Sequence, residues 1–173
     1  KQGNANFIVD NLIAANRAVP MIVVMDNGYA SKAGVPLALQ GDNQAGNAFE
    51  LVVINDLVPL IDATYRTRTD RNSRAIAGLS RGSGQALQIG LAHLDRFAWL
   101  GAFSTGALRD ADPAKAYGGI FNDAAAFNRR VRLLWLGAGT VEAHYTWVKP
   151  LHEKLLQMGI RNEFYASPGT AHE

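Results

Sequence analysis

Short apolar runs that end in turn residues alternate along this chain with stretches of helical periodicity, and that alternation leaves few folds open. Residues 5 to 16 carry Phe7, Ile8, Leu12, Ile13 and Ala14 at helical spacing, and Pro20 stops them. Met21 to Met25 is a fully apolar run closed by Asp26-Asn27-Gly28, the pattern of a buried parallel strand. Residues 29 to 45 read as a loop. Residues 47 to 64 read as a helix that Pro59 kinks or splits. Strands are then expected at 74–79, 98–103, 131–136 and 162–166. Helices are expected at 82–92, 123–129 and 143–158, the last closed by Gly159. The 173 residues are one domain's worth. The expectation is an α/β chain: a mostly parallel sheet with helices on both faces.

Composition narrows the functions. With 48% hydrophobic and 18% charged residues, the chain can bury a core and is not of the disordered type. Seventeen basic residues stand against fifteen acidic ones, scattered, so the footprint of a nucleic-acid or membrane binder is absent. The nearest basic cluster, Tyr65 to Arg71, reads as a solvated loop. No cysteine is present, which excludes a disulfide scaffold, a thiolate metal site and a cysteine nucleophile. Neither a membrane-spanning apolar stretch nor a signal peptide is visible, and the opening Lys1-Gln2-Gly3-Asn4 lacks the form of one. No metal or cofactor is called for, and the oligomeric state stays open.

The motif that carries chemistry is Gly78-Leu79-Ser80-Arg81-Gly82, a G-x-S-x-G at a strand-to-helix turn. Such a turn lifts a serine hydroxyl above the sheet's carboxyl edge, the flanking glycines let the backbones pass, and the Arg81 N–H opens a helix toward a forming oxyanion. The bland reading is a Gly-rich turn with a serine cap. A serine nucleophile needs a base. Of the four histidines, His93 ends the helix after Ser80, and His152 lies inside the long helix. His144 opens that helix near the sheet edge and is an alternative base. His172 follows the last strand on the loop from Ser167 to Ala171. His172 fits the chain order nucleophile, acid, histidine. Glu142 is then the acid, as the only carboxylate in the loop after the strand at 131–136. Asp110 and Asp112 are the fallback. Gly137-Ala138-Gly139 lacks the third glycine of a dinucleotide loop.

These residues resemble a known family. Ala77 to Leu87 is similar to the nucleophile segment of the esterase-D-like α/β-hydrolases, in particular carbohydrate esterases of the feruloyl esterase type. Pro20 to Gly28 resembles the strand and loop before it, Gly139 to Glu142 the acid loop, and Ser167 to Glu173 the histidine loop. The resemblance implies an α/β-hydrolase fold and hydrolysis of carboxylic esters through an acyl-enzyme, with hydroxycinnamoyl groups on plant xylan as the leading substrate. Relatives also include mycolyl transferases, siderophore esterases and thioester hydrolases. The implied partner is a small-molecule or polysaccharide ester, and the implied compartment is secreted or periplasmic. Asn27, Gly28, Tyr29 and Trp147 are candidate substrate contacts, with packing as the other role of Tyr29, Trp147 and Tyr117. Arg81 stands where relatives commonly carry Met. The family starts with further strands and a His-Gly-rich loop that supplies a second oxyanion N–H, and it continues past the histidine. Residues 1–173 are therefore expected to be the catalytic core of a longer esterase, without its N-terminal strands. The rivals are an acyltransferase with the same residues and an inactive hydrolase-fold binding domain.

Overall fold

The computed structural model describes residues 4–30 and 48–172. The loop expected over 29–45 falls outside the described residues from position 31 on, as does Glu173. The elements are helix α1 (Ala5–Ala14), helix α2 (Val58–Thr64), strand β1 (Ala75–Leu79), helix α3 (Arg81–Ala92), strand β2 (Trp99–Phe103), helix α4 (Ala124–Arg130), strand β3 (Leu133–Gly139), helix α5 (Tyr145–Gln157) and strand β4 (Glu163–Ser167). The four strands form one sheet in the order β1-β2-β3-β4, and every neighbouring pair is parallel. Each strand is joined to the next by a helical crossover, as parallel pairing requires.

Register explains the burial. Leu100 and Ala102 pair with Leu134 and Leu136, and all four point to one face, where none exceeds 2% exposure. That face meets Leu87, Ile89 and Leu91 of α3 and Val148, Leu151 and Leu155 of α5 in a single core. Helices therefore cover one face among the described residues. The other face carries Leu79, Trp99, Phe103 and Tyr165, 38–52% exposed.

Met21 to Met25 departs from expectation. It joins no ladder with any described strand, and its side chains are 45–74% exposed. An apolar run becomes a strand through a neighbour's hydrogen bonds and packing, and composition alone does not supply them. The helix split by Pro59 is found. It is helical from residue 48 and opens into a π-turn over Val52–Leu57, where the Val58 N–H bonds Val53 O. It resumes as α2 with Pro59 in the first turn, because the proline ring lacks the N–H that would continue the regular ladder. Strand β3 starts two residues later than expected. Val131 closes α4, and Arg132 N–H bonds Ala98 O just before the strand begins. The Tyr65–Arg71 cluster is solvated only in part. Arg71 donates to the carbonyls of Leu94, Phe97 and Arg130 and so ties its own loop to the turn after α3 and to the end of α4.

Candidate active site

Four loops leave the carboxyl edge of the sheet side by side. Ser80 follows β1 and donates its N–H to Phe103 O (2.9 Å). Ser104 follows β2 and donates to Gly137 O (2.7 Å). Thr140 follows β3 and donates to Ser167 O (2.9 Å). The ladders thus run on past the strands and bring the residues after them to one edge.

Ser80 has φ 57° and ψ −121°, a conformation L-residues rarely adopt and one that tight nucleophile turns impose. Its carbonyl accepts N–H groups from Ser83 (3.0 Å) and Gly84 (3.3 Å) and the Ser83 hydroxyl. The turn is so tight that a Cβ on Gly78 would lie 2.1 Å from Gly82 O, whereas one on Gly82 would meet nothing within 4 Å. Only the first motif glycine is demanded by space. Arg81 is the first residue of α3, so its N–H belongs to the outward-pointing donors of a helix start. Its guanidinium lies 3.9 Å from the centroid of the Tyr29 ring and donates to Gly28 O at 3.2 Å.

Gln85, one helical turn on, donates to the same carbonyl at 2.9 Å. Asp26 and Asn27 accept the N–H groups of Gly28 and Tyr29 through their side chains. The loop with three of the four candidate substrate contacts is thereby pinned to the nucleophile helix. Trp147, the fourth, lies under the Arg109 guanidinium at 4.2 Å and edge-on to His144. Tyr117 packs edge-on to Phe121 in the core, and burial pushes its hydroxyl up to about 12.

Glu142 is where the loops converge. It is 9% exposed. Oε1 accepts the Ser104 hydroxyl and Gly139 N–H (2.9 Å). Oε2 accepts His172 Nδ1 (2.7 Å) and His144 Nδ1 (3.1 Å). Burial alone would raise its carboxyl. The hydrogen bonds from Ser104, His172 and Gly139, together with the His144 imidazole beside it, instead hold it below the ordinary value of 4.5. An ionised carboxylate only accepts, so both imidazoles are protonated at Nδ1, and Nε2 of His172 is left to take a proton. A Cβ on Gly139 would stand 2.2 Å from Thr170 O and 2.6 Å from Ala171 O, so that glycine lets the acid and histidine loops close on each other.

The remaining candidates lie elsewhere. Asp110 pairs with Arg109 and is 87% exposed. Asp112 caps Ala114 N–H and pairs with Lys154. His93 pairs with Glu50 at 2.7 Å. His152 bonds Asn162 Oδ1 and stacks on Phe164, so it is packed against β4 and not simply exposed. Glu142, His144 and His172 also present ligand atoms within 4.8 Å of one another. Both Nδ1 atoms are already engaged by Oε2 of Glu142. Ser104, Gln85 and the double use of Glu142 escaped the sequence reading. The only signal was a serine directly after a strand, Phe103-Ser104, as in Leu79-Ser80.

A four-stranded parallel sheet with crossover helices, a serine on a strained strand-to-helix turn and a buried carboxylate bonded to a histidine define the chain as an α/β-hydrolase-fold protein. Its sequence matches the family described as "Putative esterase" over residues 1–163, and the chain belongs to that family. It is 32% identical over 174 residues to the endo-1,4-beta-xylanase/feruloyl esterase of Xylanibacter ruminicola, an alignment over 99% of this chain and 22% of that protein. The fold is that of a CE1 ferulic acid esterase from Anaeromyces mucronatus solved with ferulic acid (TM-score 0.75, 22% identity, 96% of this chain and 64% of that one). A further ferulic acid esterase superposes with TM-score 0.70 at 23% identity, over 99% of this chain and 70% of that one. The chain thus spans about a fifth of the xylanase/feruloyl esterase. No helix among the described residues is long and apolar enough to cross a membrane.

Proposed function

We propose that this chain is the catalytic core of a serine esterase that cleaves carboxylic esters through an acyl-enzyme, with feruloyl and related hydroxycinnamoyl esters on plant polysaccharide as its substrates. The observation that carries the reading is the 2.7 Å bond from His172 Nδ1 to the buried Glu142, at the same sheet edge as the strained Ser80. Ser80 Oγ attacks the ester carbonyl and passes its proton to His172 Nε2. Glu142 holds the tautomer and stabilises the imidazolium. The Arg81 N–H receives charge on the oxyanion. The imidazolium then protonates the leaving alcohol, and water, activated by the same imidazole, releases the acid. The relatives named for ferulic acid support the choice of substrate. Tyr29, 74% exposed and backed by Arg81, offers an aromatic face for a hydroxycinnamoyl ring. The substrate is a polymer of the plant cell wall, so the place of action is outside the cytoplasm, secreted or periplasmic.

The test is made on the intact protein. Ferulate should be released from a feruloylated arabinoxylan oligosaccharide, and a fluorophosphonate probe should label Ser80 and lose that label in Ser80→Ala. Absence of label in a folded protein would reject the serine mechanism. Label without ferulate release would reject the substrate alone. Transfer of the feruloyl group to an added sugar alcohol in preference to water would make the protein an acyltransferase.

A further inference from the structure

Glu142 has one donor more than a serine-histidine-carboxylate set needs. The extra one comes from His144, whose ring lies 4.6 Å from that of His172 at 16°, face to face. Its Nδ1 meets the same carboxylate oxygen, at 3.1 Å against 2.7 Å for His172. The same ring meets Trp147 in a T-shaped contact, centroids 4.8 Å apart, and the indole in turn lies under Arg109. A column of guanidinium, indole and imidazole thus ends on the face of the candidate base.

We propose that His144 is a positioning residue for the base: by holding the oxygen that His172 also uses, and by lying flat against its ring, it fixes the plane of that imidazole and extends its readiness to accept the serine proton to lower pH. This rests on His172 being the base. The Nδ1–H of His144 draws on the negative charge of Oε2, so less of it is available to an imidazolium at His172. A proton gained by His144 would place a like charge beside the same ring, with the same sign of effect. The stacked neutral ring works the other way, since a π face attracts a cation, but a hydrogen bond to a charged acceptor outweighs that contact.

Among the described residues the charged and titratable groups around the pair are few. Glu142 comes from the loop after β3. Arg109, paired with Asp110 at 3.6 Å, comes from the loop after β2. Helix α5 brings Tyr145, packed on Phe164, and Lys149, engaged by Glu153. Arg109 adds positive charge and so acts in the same direction as His144. Among the described residues neither ring has an ion-pair partner besides Glu142.

The experiment is the pH profile of kcat/KM for an aryl ester from about pH 5 to 8, measured on the intact protein and three variants. In His144→Ala the midpoint of the acid limb should move up by about half a unit to one unit, and kcat should fall about two- to tenfold. In His144→Asn, whose amide nitrogen stands where Nδ1 stood, the midpoint should return to within about 0.2 unit of the parent. An unmoved midpoint in a folded His144→Ala, or equal displacement in both variants, overturns the proposal. His172→Ala separates this from the reading beneath it. If it stays active with the acid limb intact, His172 is not the base, and that reading falls first. If it is inactive, the His144 variants judge His144 alone.

Discussion

Glu142 accepts from four donors, and a glutamine in its place could not. The amide nitrogen would face either Ser104 and Gly139 or the two imidazoles, donor against donor. If Glu142 is the acid of the proposed mechanism, Glu142→Gln should lower kcat on the order of 10³- to 10⁴-fold, as the matching change does in serine-histidine-carboxylate triads, in a steady-state ester assay. It should also change acid denaturation. The Glu142 carboxyl sits below its ordinary 4.5 in the folded chain. Its share of stability is therefore whole above that ordinary value and is lost as pH falls through the lower folded value. Urea midpoints followed down from neutral pH should decline less steeply in that window for Glu142→Gln. Ser104 poses a sharper question, because it combines φ 49° with a hydroxyl on Glu142. Ser104→Gly relieves the backbone and Ser104→Ala does not, yet both remove the donor. Both should lose about tenfold or more in kcat. Activity kept by Gly alone would make the backbone the reason for serine there. Ser80, Glu142 and His172 were legible as candidates because chain order and turn residues are written in sequence. Ser104 was not, because its role exists only where two loops meet across the sheet edge.

Elements were legible wherever local pattern and tertiary partner agree. Helices α3 and α5 carry apolar stripes that meet the sheet, and their limits came out within about two residues, the usual uncertainty of helix ends. Met21 to Met25 has no such agreement, since periodicity reports hydrophobicity and not which neighbour will pair. The G-x-S-x-G motif is symmetric as written in sequence and asymmetric in space. Gly78→Ala should cost more than about 3 kcal/mol or prevent folding, since it drives a methyl into a backbone carbonyl that nothing lets move. Gly82→Ala, with open space around it, should change stability by less than about 1 kcal/mol. Thermal melts of the two variants decide this, and similar losses in both would mean the two glycines serve alike.

At the scale of the molecule the sheet has, among the described residues, a filled face and a bare one. Leu79, Trp99, Phe103 and Tyr165 on that face, and the exposed run Met21 to Met25 elsewhere in the sequence, make more apolar surface than single scattered residues would. Residues 1–173 produced by themselves should self-associate, seen as concentration-dependent sedimentation. A monodisperse monomer at high concentration would contradict this. The filled face was foreseeable, since each strand's alternate residues point to it. Which helices cover which face was not, because crossover direction leaves no mark in composition. The strands stand in the sheet in the order in which they occur in the chain, with Ser80 beyond the first and His172 beyond the fourth. Synthesis therefore delivers the serine early and the imidazole late, with some ninety residues translated in between, many seconds at ordinary elongation rates. Under the proposed mechanism a half-emerged polypeptide on the ribosome would carry its serine without a base, and hydrolysis would begin only when the last strand docks.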